Sequence, residues 1–355
     1  MARIDALLIG MAAADASDLH LVVGQKPKYR VHGQVVTLGN EPVFDAPLLE
    51  SCLFEILSSE ERQRFVDRHD LDVAYGIEGR YRYRCNYFCQ RTGYGAVFRL
   101  IPSKILTLSE LSMPAILTDL ASLRSGLVLV TGPTGCGKST TLAAMIDHIN
   151  EHQRRHILTI EDPVEFVHSN KQSIISHRQV AVHTKSFAAA LRAVTRQDAD
   201  VVLVGELRDL ETMSLALSAA AMGMVVFGTL HTSSAPKTVD RVIDNFPSEQ
   251  QPQVRAMLAE SLRGVVCQEL LRRVGGKGRV AAIEVLISNR AVASIIREGN
   301  IEKIVSVIQS GGREGMQLLD DDLERLASKG EIDPMDAYMK ASDKARFQKY
   351  TAGAL

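Results

Sequence analysis

The spacing of apolar residues changes character part-way along this chain. Near the start, Ile4, Leu7, Leu8 and Met11 fall at i, i+3, i+4 and i+7, which predicts an amphipathic helix. Leu19–Val23 and Tyr29–Val36 read as strands, with turns at Gly24–Lys28 and Gly39–Pro42, and Pro47–Asp70 reads as helix charged on one face. Asp72–Tyr75 and Arg80–Cys89 are strand-like around a turn at Gly76–Gly79, and Gly95–Ile101 is a further strand. Residues 1–101 therefore read as a small α/β domain. Residues 102–114 carry two prolines and little periodicity, as a linker would, and Ala115–Leu123 follows as a short helix.

From Gly126 the apolar residues come in continuous runs: Leu127–Thr131, His156–Ile160, Val201–Val204, Val225–Thr229 and Val280–Leu286. Helical stretches lie between most of them, at Ser139–Asn150, Lys185–Thr195, Asp209–Met222, and Ala235–Ile243 with Pro252–Leu271. Uninterrupted apolar strands alternating with helices predict a largely parallel sheet covered on both faces. This pattern occupies residues 115–288, and 289–355 read as helical throughout. Met213–Ser234 contains no Asp, Glu, Lys or Arg, but Gly223 breaks it, so helix, turn and buried strand describe it better than a membrane span. Any membrane association is expected to be peripheral.

Composition adds bounds. The chain has 355 residues, 46% hydrophobic and 23% charged, enough for two or three domains with sizeable cores. A net charge of −1 gives no global basic field for nucleic acid. The five cysteines are odd in number, which fits reduced thiols in a cytosolic protein. Cys85 and Cys89 would share a strand face, but without a second pair no metal centre is expected from them.

The most specific signal is GPTGCGKST at residues 132–140, a complete G-x-x-x-x-G-K-[ST] loop between a predicted strand and a predicted helix. In the loop of Gly132, Pro133, Thr134, Gly135, Cys136 and Gly137 the glycines would let backbone N–H groups point inward around phosphate oxygens, with Pro133 shaping the turn and donating none. Lys138 adds a full positive charge, Ser139 is placed to ligate Mg²⁺, and Thr140 continues into the helix. ATP and Mg²⁺ are the expected cofactors.

Three further stretches carry chemistry. VVLVGELRD is a strand ending in Glu206, the candidate metal-holding acid, with Gly205 where many relatives of such loops have Asp. HILTIEDPVEF crowds Glu161, Asp162 and Glu165 at another strand end. Hydrolysis needs one carboxylate to orient water, and spacing alone does not choose among them. GTLHTSSA puts His231 after a buried strand, where it could sense the γ-phosphate or serve only structure. RYRYRCNYFCQR aligns Arg80, Arg82 and Arg84 on one strand face; with Arg91 and Arg99 they could bind an anion or reach a bound nucleotide.

Taken together, LVLVTGPTGCGKSTTLAAMID, IEDPVEFVH, LVGELRDLET and VFGTLHTSSAPKTVDRVIDNFP resemble the retraction motors of type IV pili, the PilT family within the type II/IV secretion ATPases. The resemblance runs from ASDLHL at 16–21 to GMQLLDDDL at 315–323. It implies a PAS-like N-terminal domain (1–101), a RecA-like P-loop ATPase core (115–288) and a helical C-terminal region (289–355). Further implications are a homohexamer with nucleotide between the domains, and rotation passed to an inner-membrane platform protein to drive twitching motility. The chain would be cytoplasmic and peripheral at the inner face of that membrane. By resemblance, Glu165 is the catalytic glutamate, Glu206 the Walker B acid and His231 the later histidine of the histidine box. Arg82, Arg91 and Arg99 are candidates for reaching the phosphates.

The chain departs from the family at three places. Met224 stands where a histidine opens the histidine box, AVASIIRE at 291–298 replaces AIRNLIRE, and Cys89 takes the first Arg of FRQR. Two alternatives stay open at this point. One is a motor of a related secretion or DNA-uptake machine. The other is an accessory, weakly hydrolysing partner of a paralogous motor.

Overall fold

A computed structural model describes residues 2–31, 34–77, 81–101, 104–276 and 278–350. The chain divides into two compact units, Met1–Lys104 with Pro163–Val167, and Ile105–Asp162 with His168–Leu355.

The first unit contains α1 (Asp5–Ala13), β1 (Ala16–Val22), β2 (Lys28–Val31), β3 (Gln34–Thr37), α2 (Ala46–Glu55), α3 (Ser59–Arg68), β4 (Asp70–Ile77), β5 (Tyr81–Gln90) and β6 (Gly93–Ile101). The six strands form one antiparallel sheet in the order β3-β2-β1-β6-β5-β4. Its core draws on both patterns read from sequence. Ile4, Leu8 and Met11 come from the helical stripe of α1; Tyr83, Cys85 and Tyr87 come from alternate positions of β5. Buried phenols fasten helices to the sheet. Tyr83 donates to the Leu8 carbonyl at 2.8 Å and Tyr87 to that of Leu53 at 3.3 Å.

Two expectations here need correction. Residues 29–36 do not form one strand: β2 and β3 pair antiparallel with Val31 opposite Gln34, and residues 32–33 lie outside the described residues. Residues 47–70 form two helices, because Ser58 and Glu61 build a capping box that starts α3 afresh. Asp70 already belongs to β4. Gly76 and Ile77 of the predicted turn belong to β4, while residues 78–79, and Arg80 beside them, lie outside the described residues.

The second unit opens with α4 (Ile116–Ala121), β7 (Gly126–Thr131), α5 (Lys138–His152), β8 (His156–Glu161), β9 (Ile174–Gln179), α6 (Phe187–Val194), β10 (Val201–Val204), α7 (Leu210–Ala221) and β11 (Val225–Leu230). It continues through α8 (Ala235–Asp244), α9 (Gln251–Ser261), β12 (Leu262–Arg272) and β13 (Arg279–Ile287). The end is helical: α10 (Arg290–Glu298), α11 (Ile304–Ser310), α12 (Leu319–Ser328), α13 (Pro334–Lys340) and α14 (Lys344–Phe347). The sheet runs β13-β12-β7-β11-β10-β8-β9, parallel except for the β12–β13 pair. Every residue of β7, β10 and β11 is buried, which is why these strands read as continuous apolar runs. One core fills each face of the sheet, with α5 in one and α6 to α11 in the other. A smaller core gathers Leu323, Leu326 and Phe347 against Leu271 and Val280.

Residues 262–271, expected to continue the helix from Pro252, are instead strand β12. Helix α9 ends at Ser261 and the strand starts at Leu262, with Gly264 close behind. A Cβ there would sit 2.9 Å from Leu120 and 3.3 Å from the Leu286 carbonyl, so a side-chain-free residue lets β12 pass between them. Strand β9 was missed altogether. It is an edge strand, half-exposed and polar, with SHRQ offering no apolar run. Among the described residues, no helix is long and apolar enough to cross a membrane.

Candidate active site

The phosphate loop lies at the carboxyl end of β7, the edge of a parallel sheet where ligands bind. Gly132, Gly135 and Gly137 have φ of 136°, 79° and 93°, so the loop depends on glycine for its path. Gly132 is also hemmed in, because a Cβ would lie 2.3 Å from the Gln268 carbonyl. Lys138 opens α5, and its ammonium donates to the carbonyls of Gly132 at 2.8 Å and Pro133 at 3.0 Å. Ser139 and Thr140 follow on the first turn of the helix.

Strand order explains what surrounds Lys138. Strand β11 lies between β7 and β10, and all three are parallel, so their carboxyl ends stand side by side. Residues just past those ends are therefore neighbours: the phosphate loop after β7, His231 after β11 and Glu206 after β10. His231 bridges the other two, with Nδ1 3.5 Å from Lys138 Nζ and Nε2 3.2 Å from Glu206 Oε1. An ammonium on one ring nitrogen and a carboxylate on the other select the tautomer with its proton on Nε2. Arg208 reaches the second oxygen of Glu206 at 2.7 Å. Burial opposes the charged form of Glu206. The hydrogen bonds and charges of Arg208 and His231 outweigh it and hold the carboxyl below its ordinary pKa. A carboxylate that stays ionised beside a phosphate loop suits a divalent cation.

The three clustered acids separate. Glu161 ends β8, buried, and a Cβ built on Gly205 would lie 3.4 Å from its Cα. Asp162 is exposed. Glu165 belongs to the first unit, where its carboxylate lies 4.0 Å from Arg84, which also faces Asp72 at 3.7 Å. Arg82, Arg91 and Arg99 are in the first unit too. Arg99 stands opposite Arg84 across the β5–β6 ladder, and Arg82 opposite Ile101. Arg99 is engaged by the buried Asp18 at 2.9 Å. Arg91 follows the end of β5 at the hairpin tip, nine residues from Arg82 and roughly 30 Å along the strand at ~3.3 Å per residue. The three arginines do not form one cluster.

Comparison with known proteins now decides the family. The model for type II/IV secretion system proteins matches residues 2–313. The type IV pilus retraction ATPase PilT of Pseudomonas aeruginosa is 48% identical over 335 residues, covering 94% of this chain and 97% of that protein. The chain belongs to the PilT family of type II/IV secretion ATPases. A twitching motility protein of Neisseria gonorrhoeae is also 48% identical, over 89% of this chain and 84% of that one. The crystal structure of a pilus retraction motor PilT with bound ADP superposes with a TM-score of 0.89 at 39% identity, covering 98% and 99% of the two chains.

Sequence reasoning missed several residues that shape this PilT-family site. Glu284 on β13 is buried and accepts the Ala235 N–H at 2.7 Å, fixing the start of α8 just after the His231 loop. Burial raises its pKa. Gln268 on β12 contacts the phosphate loop itself. Glu284 is a single polar residue inside the apolar run of β13, a signal that could have marked it.

A histidine pair anchors the chain where it leaves the Glu165 segment. His168 is buried and stacks on His177, with ring centroids 5.9 Å apart. His177 Nε2 accepts the His168 backbone N–H at 3.2 Å, and its Nδ1 lies 2.9 Å from Thr159 Oγ1. Burial, reinforced by His177, pushes the His168 pKa down to about 4, although Asp147 lies 3.8 Å away and pulls the other way. Unfolded, this imidazole takes its proton near pH 6.5. The folded state therefore keeps its full stability above about pH 6.5 and loses it as pH falls toward 4. Linkage puts the loss at about 2 kcal/mol between pH 8 and pH 5. Urea unfolding at the two pH values should show His168→Asn reducing that difference by a comparable amount. An unchanged difference would mean that His168 is not the group responsible.

Proposed function

We propose that this PilT-family ATPase is a homohexameric Mg-ATP motor for type IV pilus retraction. It would work at the cytoplasmic face of the inner membrane through a platform protein. The carrying observation is the chain Lys138–His231–Glu206 across three adjacent strand ends. In our reading Lys138 and the loop amides hold the phosphates, while Ser139 and Glu206 hold Mg²⁺, which would neutralise charge on the phosphate oxygens. Glu165 orients water. His231 touches both Lys138 and Glu206, so a change at the phosphate is felt by β11 and by the start of α8.

The departure at Met224 does not count against hydrolysis within one chain. Met224 precedes β11 whereas His231 follows it, so a whole strand, roughly 20 Å at ~3.3 Å per residue, separates them. The accessory reading rests instead on α10, where Ala293 and Ser294 replace Arg and Asn of the retraction motif. There Ser294 donates to Glu298 of the same helix at 2.8 Å.

Deleting the gene tests the proposal. The expected result is abundant surface fibres with lost surface motility. Bald cells would point to assembly, and normal fibres with normal motility would reject an autonomous retraction role.

A further inference from the structure

The phosphate loop is held from below by a residue outside every recognised motif. Strand β12 runs parallel to β7, and Cys267 faces Thr131, the last residue before the loop. Where β7 gives way to the loop, β12 continues, and its next residue is Gln268, only 2% exposed. Its side-chain Nε2 donates to the Cys136 carbonyl at 2.6 Å. Its Oε1 accepts the Thr141 hydroxyl at 3.0 Å. Its own carbonyl lies where a Cβ on Gly132 would be. One residue thus touches the start of the loop, its apex and the first turn of α5.

The geometry points to Gln268 as a positioning residue for nucleotide binding. A trans peptide is planar, with its C=O and N–H on opposite sides. Fixing the Cys136 carbonyl toward β12 turns the N–H of Gly137, in the same peptide plane, toward the phosphate side. Gly137 has φ of 93°, so little in its own backbone would prevent the plane from flipping. The bond to Thr141 fixes α5 against the same amide, so loop and helix N-terminus keep one alignment. Only a primary amide does both, donating at one end and accepting at the other. A carboxylate would face the Cys136 carbonyl with like charge, and an apolar chain would leave the buried carbonyl unpaired. Gln268 touches no phosphate in this scheme. It acts by preorganising the groups that do.

The proposal rests on nucleotide binding by the loop, and binding by the unaltered protein is the control that keeps the two separable. Titration of a fluorescent ADP analogue should show Gln268→Met binding about 10-fold more weakly. The Michaelis constant for ATP should rise while kcat stays within about 3-fold, and the nucleotide-free protein should melt within a few degrees of the parent. Lower melting with unchanged affinity would reduce Gln268 to a packing role and overturn the proposal. Thr141→Val covers the case in which Gln268→Met does not fold. It removes the hydroxyl with little change of shape and should weaken binding about 3-fold, whereas unchanged affinity in that variant counts against the proposal. Where both fold, the double variant should be no worse than Gln268→Met, because both act through one amide. Fully additive losses would overturn the proposal.

Discussion

Lys138→Ala should bind ADP and ATP roughly 100-fold more weakly than the parent, with the fold intact. Lys138 carries the only formal charge in GPTGCGKST, and its ammonium already donates to two loop carbonyls at 2.8 and 3.0 Å. Phosphate oxygens compete for the same donors and carry negative charge, which a carbonyl does not. A hydrogen bond to a charged group contributes about 1.5–3 kcal/mol, and 1.4 kcal/mol is tenfold in affinity. Removing the ammonium therefore costs about two powers of ten. Fold integrity is checked by melting of the nucleotide-free protein, because Lys138 is only partly buried and the carbonyls it leaves can reach water. A loss under about 3-fold would mean that the loop amides alone hold the nucleotide. The salt dependence adds a second readout: loss of a charged contact should flatten the fall of affinity with ionic strength.

How far the sequence reveals this molecule depends on what each segment owes to its neighbours. The strands buried on both faces, such as Val201–Val204, announce themselves because burial leaves them no polar positions. The phosphate loop is legible because its glycines answer to local backbone geometry. Strand β12 was misread because LRGVVCQELLR suits a helix or a strand equally well, and its choice is made by pairing with β7 and β13. That misreading also hid Gln268. On a helix it would be one more surface polar residue, whereas on a central strand its side chain must find partners. His231 was found as a residue but not as a bridge. Its place between Lys138 and Glu206 follows from β11 lying between β7 and β10, a non-sequential order that no local pattern encodes. Strand periodicity groups Arg80, Arg82 and Arg84, whereas Arg82, Arg91 and Arg99 are joined only by the resemblance. A shared strand face for Arg80, Arg82 and Arg84 says nothing of Arg91, which lies a whole hairpin arm from Arg82.

Glu165→Gln should lower ATP turnover at least about 100-fold while leaving ADP and ATP affinity within about 3-fold. The amide keeps the size and one acceptor of the carboxylate but loses its charge. It can neither polarise a water for attack nor take up its proton, and such a group contributes about 10²–10⁴-fold to rate. Three acids compete for the role, and their surroundings differ enough to separate them. Glu161 is buried at the end of β8, beside the Gly205 backbone, so neutralising it should disturb packing around Glu206 and lower stability with turnover. Asp162 is exposed, and Asp162→Asn should leave turnover within a few-fold. Glu165 is half-buried with the Arg84 guanidinium 4.0 Å away. Arg84→Ala then distinguishes two uses of that pair. If Arg84 merely screens the carboxylate, turnover is retained; if it holds Glu165 in its working position, turnover falls with Glu165→Gln and the double variant is no worse than the single one. Single-turnover hydrolysis of bound ATP reads the chemical step directly, apart from product release. Unchanged single-turnover rates in Glu165→Gln would move the base to Glu161, where the same experiment should then show the loss.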